Sequence, residues 1–212
     1  HPDWPRQRLL RQRAEEAMPS HLPDEAILAW FTDYPPVTTH GRILFGEARL
    51  RSGDREGGED YLIETWRHKN FSRHADRRFL SRHRKLFSKE DHVARIDRLL
   101  WEGRHWEAKR MLYRVEPDQR SLAIARISLM QRSWAVDKDI ARVPKHLKAH
   151  PGLQYERLRW RRRKGKTESA REILEHPLQD LGQAKHWWRE RVIIVRRLFR
   201  EGYYSEAYRL AK

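Results

Sequence analysis

Four glycines constrain this chain more than any other feature. The segments around them read "LRSGDREGGEDYL", "LWEGRHWEAKRML", "RRKGKTESAREIL" and "FREGYYSEAYRLA", centred on Gly53, Gly103, Gly165 and Gly202. Five residues after each glycine stands a small residue: Gly58, Ala108, Ala170 or Ala207. Eight and nine residues after it stands a mostly apolar pair: Tyr61 and Leu62, Met111 and Leu112, Ile173 and Leu174, Leu210 and Ala211. A helical hairpin explains all three positions. The glycine takes the left-handed conformation that ends the first helix. The small residue admits the second helix to close contact. The pair after it packs on the neighbour.

The rest of the chain agrees with helix and not with strand. Val93, Ile96, Leu99 and Leu100 recur at helical spacing, as do Leu122, Ala125, Leu129 and Met130. Trp188, Arg191, Val192, Val195, Leu198 and Phe199 form a third such stripe. Ser88 is placed to cap the helix that follows it, with Asp91 as the partner in a capping box. Pro5 and Pro144 suit first helical turns, and Thr167 suits a cap. The four glycines and Pro19, Pro117, Pro151 and Pro177 read as stops. The glycines lie 50, 62 and 37 residues apart, so no strict tetratricopeptide period exists. The expectation is all-α: residues 1–212 as a single superhelical domain, an α-solenoid of stacked helical hairpins with variable inserts.

Charge narrows the partners. Lys and Arg number 46 against 30 Asp and Glu, a net charge of +16, which favours anionic partners. Nine Trp, seven Tyr and six Phe are too many for a disordered chain. With no cysteine, disulfides, thiolate metal sites and cysteine nucleophiles are excluded. No apolar run approaches the ~20 residues that span a bilayer, so no membrane span is expected. No signal peptide is visible; the start "HPDWPRQ" reads as trimmed, so this decides nothing.

The densest basic stretch is "YERLRWRRRKGKTESAREIL", Tyr155 to Leu174. Its cations point all round one helix, so a solvated helix paired to Glu156, Glu168 and Glu172 explains it first. A phosphate-tracking element is the second reading, but no RNA- or DNA-binding motif accompanies it. Glu168 follows a turn amid cations that favour its ionised form, which suits a helix's first turn and not an acid catalyst. The histidines His68, His74, His83 and His92 lack ligand spacing, and no phosphate-binding glycine loop is present. No metal and no cofactor are called for, and no catalytic residue is assigned.

Longer words carry a resemblance. "ILAWFTDYPP", "FLSRHRKLFSKEDHVARIDRLLWEGRHWEAKRML", "IARVPKHLKAHPGLQYERLRWRRRKGKTESAREIL" and "WWRERVIIVRRLFREGYYSEAYRLA" together resemble the soluble lytic murein transglycosylases of Gram-negative bacteria. The likeness is to their long N-terminal helical region and covers most of the chain. It implies a periplasmic location and a non-catalytic superhelical scaffold. That scaffold would position peptidoglycan glycan strands for a lysozyme-like domain that cleaves them to 1,6-anhydro ends. The family's catalytic glutamate lies in a Glu-Ser-x-Phe context, whereas Glu168-Ser169 is followed by Ala170 and Arg171. The chain is therefore expected to be a piece or relative of such an enzyme without its catalytic domain. Expected partners are glycan strands or an envelope protein, and no nucleic acid. A stand-alone periplasmic interaction scaffold and a basic helical-repeat nucleic-acid binder are the alternatives. Arg161, Arg162, Arg163 and Trp188 are the candidate contacts, with guanidinium on stem-peptide carboxylate and indole on sugar.

Overall fold

A computed structural model describes residues 6–19, 21–176 and 179–212. The described residues form thirteen α-helices, joined by turns and two 3-10 segments, with no strand among them. Contacts gather the chain into two compact units, His1–Arg95 and Ile96–Lys212, with the boundary inside α6 (Lys89–Trp101).

The first unit holds α1 (Gln7–Ala17), α2 (Asp24–Asp33), α3 (Thr39–Arg51), α4 (Arg55–His68) and α5 (Arg73–His83). Ile27, Phe31, Leu44 and Ala48 form one small core between α2 and α3. Trp66 stacks on Phe79 with centroids 5.8 Å apart and meets Phe71 edge-on at 5.5 Å. Above Trp66 lies the Arg95 guanidinium, 3.9 Å from the ring centroid and 2% exposed. It donates to the Trp66 carbonyl and, at 2.9 Å, to the Lys69 carbonyl, and it meets Asp76 at 3.2 Å. A single arginine thus satisfies carbonyls left open at the end of α4. Glu15 does the matching task at a helix start. Its carboxylate accepts the Val37 and Thr38 backbone N–H groups, each at 2.7 Å, just ahead of α3.

The second unit continues with α7 (His105–Lys109), α8 (Pro117–Gln131), α9 (Val136–Ala141), α10 (Pro151–Arg163), α11 (Thr167–Glu175), α12 (Ala184–Arg200) and α13 (Tyr204–Ala211). α8 packs on α7, α9 and α10; α10 packs on α11 and α12; α12 packs on α13. Leu122, Ala125, Leu129 and Leu153 fill the α8–α10 seam. Leu158, Ala170, Leu174, Ile194, Leu198 and Ala207 belong to the core shared by α10 to α13.

The hairpin reading of the glycines holds in detail. Gly53, Gly103, Gly165 and Gly202 have φ of 97°, 77°, 75° and 87°, the left-handed region. After three of them the N–H of the very next residue closes a six-residue turn: Arg104 to Leu99 at 2.8 Å, Lys166 to Arg161 at 3.0 Å, Tyr203 to Leu198 at 2.9 Å. Gly58, Ala108, Ala170 and Ala207 are all buried. At Gly58 even a methyl group would be too much, since a Cβ would sit 2.9 Å from the Leu50 backbone nitrogen. One member of each following pair, Leu62, Met111, Leu174 or Leu210, reaches the core. A fourth turn of the same six-residue type closes α8, with Ser133 N–H on the Ser128 carbonyl at 3.0 Å. There Arg132, with φ of 55°, stands where the others have glycine.

Several local expectations are corrected. Pro117 and Pro151 open α8 and α10, where a missing N–H costs nothing, and do not close the preceding segments. Pro144 precedes a 3-10 turn, Lys145–Leu147, and no α-helix. Thr167 is the first residue of α11 and not its cap; its buried hydroxyl has no hydrogen-bond partner. Pro5 and Pro177 lie outside the described residues. The Ser88–Asp91 capping box forms as expected, with Ser88 N–H on the Asp91 carboxylate at 2.8 Å and Asp91 N–H on Ser88 Oγ at 3.2 Å.

Candidate functional site

Trp188 is where the expected contacts and an open surface coincide. Just before α12, Gly182 takes a φ of 62°. The Leu181 carbonyl accepts the Trp187 indole N–H at 2.9 Å. That bond fixes Trp187 inward, where it meets Tyr155 edge-on at 5.8 Å. One residue on is a rotation of about 100° on a helix, so Trp188 emerges at the surface. Its exposure is 59%. Ala184, Trp188 and Arg191, at i, i+4 and i+7, share this face of α12. With Ile173 and Leu174 of α11 they line a mostly apolar groove of about 280 Å³.

The buried stripe of α12 therefore runs one residue earlier than the sequence suggested. Trp187, Glu190, Ile194 and Leu198 face inward, while Trp188 and Phe199 are exposed. The doublet Trp187-Trp188 hides this shift, since either indole could serve as the packed one. Ile194 completes the inward stripe and is fully buried.

The three arginines do not join Trp188 in the groove. Arg161 donates to the Ser169 carbonyl at 2.6 Å and ties α10 to α11. Arg162 grips Glu190 of α12 through Nε and, at 3.1 Å, through Nη2. Glu190 is 3% exposed, and its hydrogen bonds hold the Arg162 guanidinium above the ordinary arginine range. Arg163 alone stays exposed. The guanidinium that does stand in the groove with Trp188 is Arg191. Its signal was in the sequence, three residues after Trp188, but it was counted into a packing stripe.

The carboxyl groups of this unit divide between pairing and burial. Glu168 is exposed and pairs with Arg171 at 2.9 Å. Glu156 is different, and sequence reasoning treated it only as a salt-bridge partner. Its side chain is 3% exposed, and Arg159 reaches only to 3.6 Å. Burial raises it to about pH 7, against the pull of Arg159, Arg126 and Arg163. An acid for glycan cleavage must present its carboxyl to the bond it breaks. Glu156 instead faces inward from α10 with Leu153 and Leu158. Nearby, Arg126 is 2% exposed, pairs with Asp97, and has Nε and Nη2 without partners. Those nitrogens press on Gly152, where a Cβ would lie 2.8 Å from Nε. His150 Nδ1 accepts the Gly152 N–H at 3.1 Å, and burial beside Arg126 lowers its pKa.

Among the described residues no cluster of three or more His, Cys, Asp or Glu is arranged to hold a metal ion. No described helix is long and apolar enough to cross a membrane. Comparison with known protein families, curated proteins and solved structures gives no match to this chain.

Proposed function

We propose that the chain is a non-catalytic helical scaffold of a periplasmic peptidoglycan lytic transglycosylase, or of a close relative. In this reading its hairpins stack as a superhelix that positions glycan strands for cleavage elsewhere. The observation that carries the binding role is the groove at Trp188. A largely exposed indole over an apolar floor fits a sugar ring, and Arg191 beside it fits a carboxylate on the same strand. The non-catalytic role is supported by the carboxyls described above, of which Glu168 is ion-paired in solvent and Glu156 is enclosed.

Co-sedimentation with purified wall sacculi tests this. Trp188→Ala and Arg191→Ala should each weaken binding, and Arg163→Ala should weaken it less. The protein alone should release no anhydro-muropeptides. Sedimentation unaffected by either groove variant removes the proposed contact.

A second reading, a protein-interaction scaffold of the envelope, is favoured by one feature. Phe199, Tyr204 and Tyr208 of the last hairpin are 62%, 61% and 71% exposed. Aromatic residues are enriched in protein–protein contacts. A specific envelope protein recovered with the chain, and no sacculus binding, would select it.

A further inference from the structure

A second groove, of about 260 Å³, lies within the first unit between α3 and α5. It has no part in the function proposed above. His40, Ile43, Leu44 and Glu47 follow i, i+3, i+4, i+7 along α3 and form one wall. Ala75, Arg78, Phe79 and Arg82 do the same along α5 and form the other. Two helices thus present whole faces to one cleft, which is how a helical scaffold builds a preformed site.

Its chemistry is divided by depth. Leu44 and Phe79, each 3% exposed, make an apolar floor. Beside them sits the Glu47 carboxylate, 7% exposed. Arg82 Nη1 donates to both of its oxygens at 2.8 Å, and His83 Nε2 lies 2.8 Å from Oε1. Glu47 is therefore a satisfied anion. Burial opposes its charge, but His83 and Arg82 outweigh that and hold its pKa below the usual carboxylate range. Its effect on the groove is to fix Arg82 and cancel one positive charge. One turn away, Arg78 is exposed and has no partner among the described residues. The start of α5 opens on the same cleft through Ser72, His74 and Ala75, which adds a weak preference for an anion.

We propose that this groove binds a small monocarboxylate with an apolar body, its carboxylate on Arg78 and its body over Leu44 and Phe79. Arg51 also reaches Glu47, at 3.7 Å, but is balanced by Asp24 at 2.6 Å. With the histidines neutral, Arg78 and Arg82 less Glu47 then leave one net positive charge, which one carboxylate balances. A phosphate dianion would leave one charge unmatched and would face the fixed Glu47 carboxylate at short range. The volume is below the usual span of drug-sized sites, about 300–1,000 Å³, so the ligand is of amino-acid size.

N-acetyl-leucine is a suitable probe, with N-acetyl-leucine amide and inorganic phosphate as comparators. Titration of the whole chain, followed by the backbone amide shifts of Ser72 and Ala75, should show saturable binding of the acid. The amide and phosphate should bind at least about tenfold more weakly. Arg78→Ala should weaken the acid about tenfold or more. Arg77→Ala, an exposed charge outside the groove, should leave it unchanged. The proposal is overturned if the acid produces no saturable shifts, if either comparator binds equally well, or if the two arginine variants behave alike.

Discussion

Arg132 and Gly202 occupy the same position in the same type of turn, and this gives a test with two opposite signs. Each follows a helix end and takes a left-handed φ, 55° for Arg132 and 87° for Gly202. A residue with a Cβ pays about 1–2 kcal/mol for that conformation. Around Gly202 a Cβ would meet nothing within 4 Å, so Gly202→Ala adds this term with no clash. The alanine also restricts the unfolded chain, which returns about 0.4–1 kcal/mol. The net expected loss is about 0.5–1.5 kcal/mol. Arg132→Gly reverses both terms and should stabilise by a similar amount. Arg132 is exposed, so little packing is lost with its side chain. Both residues lie in the unit that begins at Ile96, so the changes should move its melting temperature down or up by roughly 2–6 °C. Urea denaturation followed by tryptophan fluorescence, with unchanged slopes, gives the free energies directly. If Arg132→Gly destabilises, or Gly202→Ala is neutral or better, the shared-turn account is wrong.

Four further outcomes follow from the buried polar groups and one close contact. Glu156 holds its proton in the folded state up to about pH 7, whereas the unfolded carboxyl loses it near its ordinary value of 4.5. Between those values the native state binds more protons, so stability falls as pH rises. The loss is at most on the order of 3 kcal/mol by pH 8, and Glu156→Gln should remove this part of the slope when melting is compared at pH 5 and pH 8. Arg95→Met removes the donor to the Trp66 and Lys69 carbonyls at the end of α4 and the Arg95–Asp76 ion pair, and should cost about 3 kcal/mol or more in denaturant titrations. Arg162→Ala strands the Glu190 carboxylate and should cost about 3 kcal/mol, so a triple Arg161, Arg162 and Arg163 variant would report folding before binding. Gly58→Ala drives a methyl into the Leu50 backbone and should lower the melting temperature despite alanine's better helix propensity.

The hairpins were legible because each rests on a local rule. A glycine with positive φ and a small residue at the helix contact leave marks within a dozen residues. The Ser88–Asp91 box is equally local. The roles of Pro117 and Pro151 were misread because a proline disfavours helix before it and suits helix after it, and spacing alone does not say which. Thr167 failed as a cap because the turn at Gly165 runs one residue shorter than assumed and gives that place to Lys166. Trp187 and Trp188 could not be told apart until the Leu181 carbonyl chose one. The fate of the arginines was hidden for a different reason. Arg162 depends on Glu190, 28 residues away, and no periodicity connects them. The α3–α5 groove pairs residues about 35 apart and escaped for the same reason.

The binding claim is tested most directly by the indole N–H resonances of the whole chain during titration with purified glycan strands. The Trp188 signal should shift and saturate. The signal of Trp134, an exposed indole outside the groove, should stay in place. A Trp188 resonance unmoved at saturating glycan would contradict the account, whatever the other tryptophans do.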